Sequence, residues 1–251
     1  MTVQRKRDQT RDPRTDGRLI ISYPKSGRTW LRYALSERNI DVDFTHAGLA
    51  THRTQMGSRF EKIPDTLKNI PLVFLYRNPI DTVVSLYHQI HNRDFRAWSG
   101  RWMRMYPRLA LQRNLPPQAL DEFVLHPIYG VENICRYNRA WIDHTSSRSD
   151  CLVLNYEVMR ANAGDGFQAL LDFWNDQTTT GADLAETSRF EKMKQAEVTG
   201  AHGGVLQAKA LSDPNSSKVR KGKVKGYTDD LKPETIRAAR DVAARHGFEQ
   251  V

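Results

Sequence analysis

The sequence predicts an α/β fold with a mostly parallel central sheet flanked by helices on both faces. Three observations predict it. Three short runs, residues 18–23 (RLIISY), 71–76 (PLVFLY) and 151–155 (CLVLN), are apolar and rich in β-branched residues. The first two lead directly into a turn and then a helical pattern. The chain closes on residues 233–246, a regular amphipathic pattern with Pro233 at its start and Gly247 as its stop.

Taken in order, residues 18–23 read as a buried strand, 24–28 as a turn and 29–38 as a helix. Residues 42–45 fit a second short strand. After the strand at 71–76, Pro79 sits where a first helical turn tolerates it, and the helix extends to about His91. Residues 93–125 are ambiguous, with helical patches broken by Pro107 and by Pro116 and Pro117. Helices are expected at 132–144, 166–175 and 189–196, and a loop rich in Gly, Ser and Lys at 200–227.

With 251 residues, 39% of them hydrophobic, the chain fits one domain over 18–251 preceded by a mobile basic tail at 1–17. No apolar run reaches the ~18 residues a membrane span needs, and residues 1–18 lack the apolar centre of a secretory signal. Cys135 and Cys151 make neither a disulfide framework nor a metal site, so a cytoplasmic, reducing setting is expected. The net charge of +9 is unevenly placed. Residues 1–18 carry six basic and three acidic residues, 218–225 five basic and no acidic, and 93–113 six arginines and one aspartate. The rest of the chain is therefore net negative. Such local surpluses suit discrete anion sites better than a nucleic-acid-coating surface.

Three segments carry chemistry. The first is YPKSGRTW, residues 23–30, between a strand and a helix, where backbone N–H groups can cradle an anionic phosphate. Gly27 permits close approach, Lys25 supplies a point charge, and Ser26 and Thr29 supply hydroxyls. The Walker A spacing is absent, which removes the main support for a nucleoside triphosphate with magnesium. The second is YRNP, residues 76–79, followed by Asp81 and Ser85. A strand-end arginine, Arg77, and a hydroxyl two turns into the next helix, Ser85, could close on one phosphate. The alternative is a structural Arg77–Asp81 pair. The third is KVRKGKVK, residues 218–225, either an anion clamp or a solvated basic face.

Together these segments resemble the PAPS-dependent sulfotransferase family, where PAPS is 3′-phosphoadenosine-5′-phosphosulfate. That family's 5′-phosphosulfate loop reads YPKSGTTW, and this chain differs only at Arg28. Its 3′-phosphate element pairs the arginine of RNPxD with a serine eight positions on, matched by Arg77 and Ser85. Its C-terminal RKG is matched by Arg220, Lys221 and Gly222, although the GDW that normally ends that motif is replaced by Lys225, Gly226 and Tyr227. Residues 154–157 (LNYE) resemble the strand end that places a tyrosine near the adenine, and 188–193 (SRFEKM) the adenine-side segment. The resemblance implies the P-loop-like sulfotransferase fold and PAPS as co-substrate, with no metal. It implies cofactor binding by Lys25, Ser26, Gly27, Arg28, Thr29, Trp30, Arg77, Ser85, Tyr156, Ser188, Phe190, Arg220, Lys221 and Gly222.

The family's general base is a histidine in a KTH segment. Residues 44–46 read FTH, so His46 matches and the lysine does not; His52 and His88 are rivals without that context. The implied reaction is in-line transfer of a sulfuryl group to a hydroxyl of a small-molecule or carbohydrate acceptor, with His46 and Lys25 catalytic. The alternatives are a nucleotide kinase with a degenerate P-loop, a non-catalytic nucleotide-binding protein, and a nucleic-acid-binding protein, which a discrete set of anion sites disfavours. Trp98, Trp102 and Tyr106 recur every four residues among Arg101, Arg104 and Arg108, forming either an acceptor lid or the buried face of a helix. The acceptor's identity and the oligomeric state are not legible.

Overall fold

The computed structural model describes residues 18–50, 59–91, 116–199 and 224–249. The basic tail at 1–17, His52, the Trp98–Tyr106 stripe and the Arg220–Gly222 segment lie outside the described residues. Among the described residues four parallel strands form one sheet: β1 (Leu19–Ser22), β2 (Asp43–Thr45), β3 (Leu72–Tyr76) and β4 (Cys151–Asn155), in the order β2-β1-β3-β4. The register pairs Ile20 with Phe44 on one side of β1 and with Val73 on the other, and Phe74 with Val153.

Side chains alternate between the faces of these strands, as a pleated backbone requires. Leu19, Ile21, Leu72 and Phe74 enter one core with Tyr137 and Trp141, while Ile20, Val73 and Leu75 enter a second with Leu31, Phe167 and Leu170. Both faces are covered, so β1 and β3 read as continuous apolar runs. The first core is closed by α2 (Pro79–Gln89), α3 (Leu120–Val124), α4 (Val131–Ser146) and α9 (Pro233–Arg245). The second is closed by α1 (Arg28–Ser36), α5 (Tyr156–Ala161), α6 (Ala163–Phe173), α7 (Gly181–Thr187) and α8 (Phe190–Thr199).

The predicted strands and most predicted helices are present within a few residues of the expected bounds. The helix expected from Gly166 begins earlier, at Ala163, and α5 and α7 are additional. Gly247 has φ +77, the left-handed conformation of a helix stop. The chain leaves β1 toward β2 on one side and returns to β3 on the other. In an open parallel sheet such a reversal is where ligands usually bind, outside the carboxyl ends of the strands. No helix among the described residues is long and apolar enough to cross a membrane.

Candidate active site

The turn after β1 is built from unusual backbone. Lys25 (φ +73) and Gly27 (φ +97) are both left-handed, on either side of Ser26. Alternation of this kind is how successive N–H groups converge into an anion-binding nest. α1 starts directly after Gly27 with no acidic residue in its first turn and no side-chain cap, which leaves its positive end suited to an anion. Ser26 is fully buried, and its Oγ has no hydrogen-bond partner among the described residues. These groups fit a phosphate or phosphosulfate.

Gly27 is required where it stands. A Cβ there would lie 2.4 Å from Cδ2 of Tyr156. Tyr156, the first residue of α5, packs edge-on to Trp30 at 5.8 Å and lies under the Arg77 guanidinium at 4.8 Å. The Trp30 indole N–H donates to Ser188 Oγ at 2.9 Å, and that hydroxyl donates to the Leu184 carbonyl at 2.7 Å. Ser188 is buried with its hydroxyl engaged in fixing Trp30, and Phe190 packs on the second core.

Arg77 follows β3 and joins three segments. Its Nη1 donates to the Lys25 carbonyl at 3.3 Å, Nη2 lies 3.8 Å from Asp81 Oδ2, and Nε lies 3.9 Å from Glu157 Oε1. The two carboxylates hold the guanidinium at ion-pair range without taking short hydrogen bonds. Asn78 caps α2 by accepting from Ile80 and Asp81 N–H, and its own N–H donates to Glu157 at 3.1 Å. Burial pushes the Glu157 carboxyl up, opposed by the Asn78 N–H and by Arg77. Ser85 is half-buried in α2, one turn beyond Asp81 and on the same face.

His46 follows β2. Its Nδ1 donates to the Ser22 carbonyl at 2.6 Å, which fixes the ring and leaves Nε2 as the acceptor. Burial, and then the nearby Arg28 cation, lower its pKa to about 4, against the Ser22 bond, which raises it. Arg28, the departure from the YPKSGTTW pattern, is itself lowered to about 10 by burial and by Arg32. Arg32 lies over the Phe44 ring at 4.8 Å. His88 instead lies near the end of α2 against Tyr87.

The structure thus brings together Lys25–Trp30, Arg77, Tyr156 and Ser188, with His46 beside Arg28 at the carboxyl end of the neighbouring strand. Sequence reasoning assigned no site role to Glu157, and to Asp81 only the pair with Arg77. The signal was available: Asp81 is an acid set inside the motif read as 3′-phosphate-binding, and Glu157 an acid inside the segment read as the adenine side.

A family model described as a sulfotransferase domain matches residues 58–247, about three quarters of the chain. Cytosolic sulfotransferase 16 of Arabidopsis thaliana is 23% identical over 86% of this chain and 71% of its own length. Flavonol 3-sulfotransferase of Flaveria bidentis is 25% identical over 82% and 73%. Among solved structures, mouse sulfotransferase SULT7A1 complexed with PAP superposes with a TM-score of 0.62 at 18% identity, covering 91% of this chain and 83% of that one. Retinol dehydratase in complex with androsterone and inactive cofactor PAP gives 0.57 at 16%, covering 91% and 79%.

Proposed function

The chain belongs to the sulfotransferase family and is a PAPS-dependent sulfotransferase, and from that premise we propose how its own residues carry the reaction. One domain over residues 18–251 binds PAPS at the carboxyl ends of the strands. PAPS, when bound, supplies an activated sulfuryl group that passes in line to an acceptor hydroxyl. Lys25, Ser26, Gly27, Arg28, Thr29 and Trp30 hold the 5′ end. Arg77 and Ser85, with Arg220, Lys221 and Gly222 of the C-terminal basic run, hold the 3′-phosphate. Tyr156, Ser188 and Phe190 form the adenine side.

His46 is the general base. Its Nδ1–H is committed to the Ser22 carbonyl, so the acceptor's proton goes to Nε2. The lowered pKa leaves the ring neutral and able to accept at neutral pH, while making it a weaker base than an ordinary histidine. A positioned general base contributes roughly 10²–10⁴ in rate. Lys25 stabilises negative charge that develops at the leaving phosphate.

The observation that carries this reading is the position of Arg77, which touches the phosphosulfate loop through the Lys25 carbonyl and covers Tyr156. A cation, a nest and an aromatic platform therefore share one site. The acceptor is a small-molecule or carbohydrate alcohol or phenol; a relative named for a flavonol and a neighbour complexed with androsterone support that class. Relatives named cytosolic support a cytoplasmic setting.

The experiment is a panel of phenols, alcohols and sugars incubated with isotopically labelled PAPS and read by mass spectrometry. Label in at least one acceptor is expected. Label in none, together with magnesium-dependent phosphate transfer from ATP, would overturn the reading in favour of a kinase.

A further inference from the structure

A buried carboxylate beside a phosphate site has the wrong charge for its surroundings, and Asp81 is one. Its side chain is only 3% exposed, in the first turn of α2, with Arg77 Nη2 3.8 Å from Oδ2. The same Oδ2 accepts the Lys225 N–H at 2.8 Å, and Oδ1 accepts the Tyr227 N–H at 3.2 Å. The acid therefore joins the start of α2 to a segment 144 residues further along the chain.

The joined segment needs holding. Lys225 is left-handed (φ +58, ψ +29), a conformation that favours glycine and is strained for a lysine. The short 3-10 turn Gly226–Asp229 follows it. Tyr227 is fully buried, and its hydroxyl accepts from Arg240 of α9 at 3.1 Å. The turn is thus anchored on one side by packing and on the other by Asp81.

We propose that Asp81 is a positioning residue for recognition of the 3′-phosphate, fixing the Arg77 guanidinium and the Lys225 turn in one arrangement. This rests on the reading of Arg77 as a 3′-phosphate ligand. One carboxylate satisfies two backbone donors and restrains one guanidinium, which offsets its negative charge. Arg77 keeps donor capacity for the phosphate, because its Nη2 stands 3.8 Å from Asp81 Oδ2, beyond hydrogen-bond range.

Asp81→Asn separates positioning from simple electrostatics. A bystander acid predicts tighter phosphate binding once its charge is removed. The positioning role predicts the reverse, because an amide oxygen serves only one of the two N–H donors and the amide NH₂ opposes the other. Calorimetry with 3′-phosphoadenosine 5′-phosphate (PAP) and adenosine 5′-phosphate should show PAP binding weakened about ten- to hundredfold, as expected for hydrogen bonds to a charged group. Adenosine 5′-phosphate affinity should change less than about threefold.

If the wild type binds both nucleotides equally, the 3′-phosphate reading and this inference fall together. If the wild type discriminates and Asp81→Asn discriminates as well, or binds PAP more tightly, the inference alone falls. It also falls if both affinities drop in parallel. Should the variant not fold, hydrogen exchange in the wild type decides. PAP, and not adenosine 5′-phosphate, should slow exchange at the Lys225 and Tyr227 amides, and unchanged exchange would overturn the proposal.

Discussion

Replacing Gly27 by alanine tests the packing of the phosphosulfate loop most severely. The residue sits at φ +97, where an L side chain costs about 1–3 kcal/mol. The new methyl would also lie 2.4 Å from Cδ2 and 2.7 Å from Cε2 of Tyr156. That ring cannot move alone, since Trp30 packs on its edge and Arg77 lies over its face. Overpacking at such a site adds about 1–3 kcal/mol. The sum, about 2–6 kcal/mol, should appear in urea denaturation as a lower midpoint with an unchanged slope. PAP affinity should fall as well, because Tyr156 and Arg77 are displaced together. A loss below about 1 kcal/mol with normal PAP binding would refute the reasoning.

Three other substitutions follow from the same geometry. Arg28→Gln should raise the His46 pKa from about 4 toward the ordinary histidine value, read from imidazole resonances in a pH titration; no movement would mean that Arg28 does not act on the ring. Because the folded-state pKa is depressed, His46 adds nothing to the pH dependence of stability above about pH 6.5 and lowers stability as pH falls from 6.5 through 4. His46→Gln should flatten that part of the stability profile, measured by denaturation at several pH values. Ser188→Ala strands the buried Trp30 indole N–H and should cost about 1–3 kcal/mol in the same denaturation assay, with the wild-type midpoint as the contrary result.

β1 and β3 were legible because they are buried on both faces and read as short continuous apolar runs, whereas β4 is only partly buried and β2 has an exposed residue at Asp43. The strand–turn–helix setting of residues 23–30 was legible for the same reason: β1 ends at Ser22 and α1 begins at Arg28. α5 and α7 were not legible from periodicity, since six and seven residues are too short to develop a full apolar stripe. Their caps were nonetheless in the sequence. Asn155 accepts the Val158 N–H and Thr180 the Asp183 N–H. Contacts between distant segments left no local trace. Trp30 meets Ser188 across 158 residues and Asp81 meets Lys225 across 144. The departure at Lys225 was visible as a lysine replacing the first residue of GDW. What the structure adds is that this position is left-handed, so a glycine there would carry no strain.

His46 is the residue on which the chemical account turns, and its Nδ1 bond to the Ser22 carbonyl makes a specific demand. The direct measurement is the single-turnover rate of sulfuryl transfer from PAPS to an accepted alcohol or phenol, in the wild type and in His46→Ala, with PAP affinity measured beside it. The account predicts a rate loss of about a hundredfold or more at nearly unchanged PAP affinity, because the base acts on the acceptor and not on the nucleotide. A variant that retains more than about a tenth of the wild-type rate would contradict the general-base role.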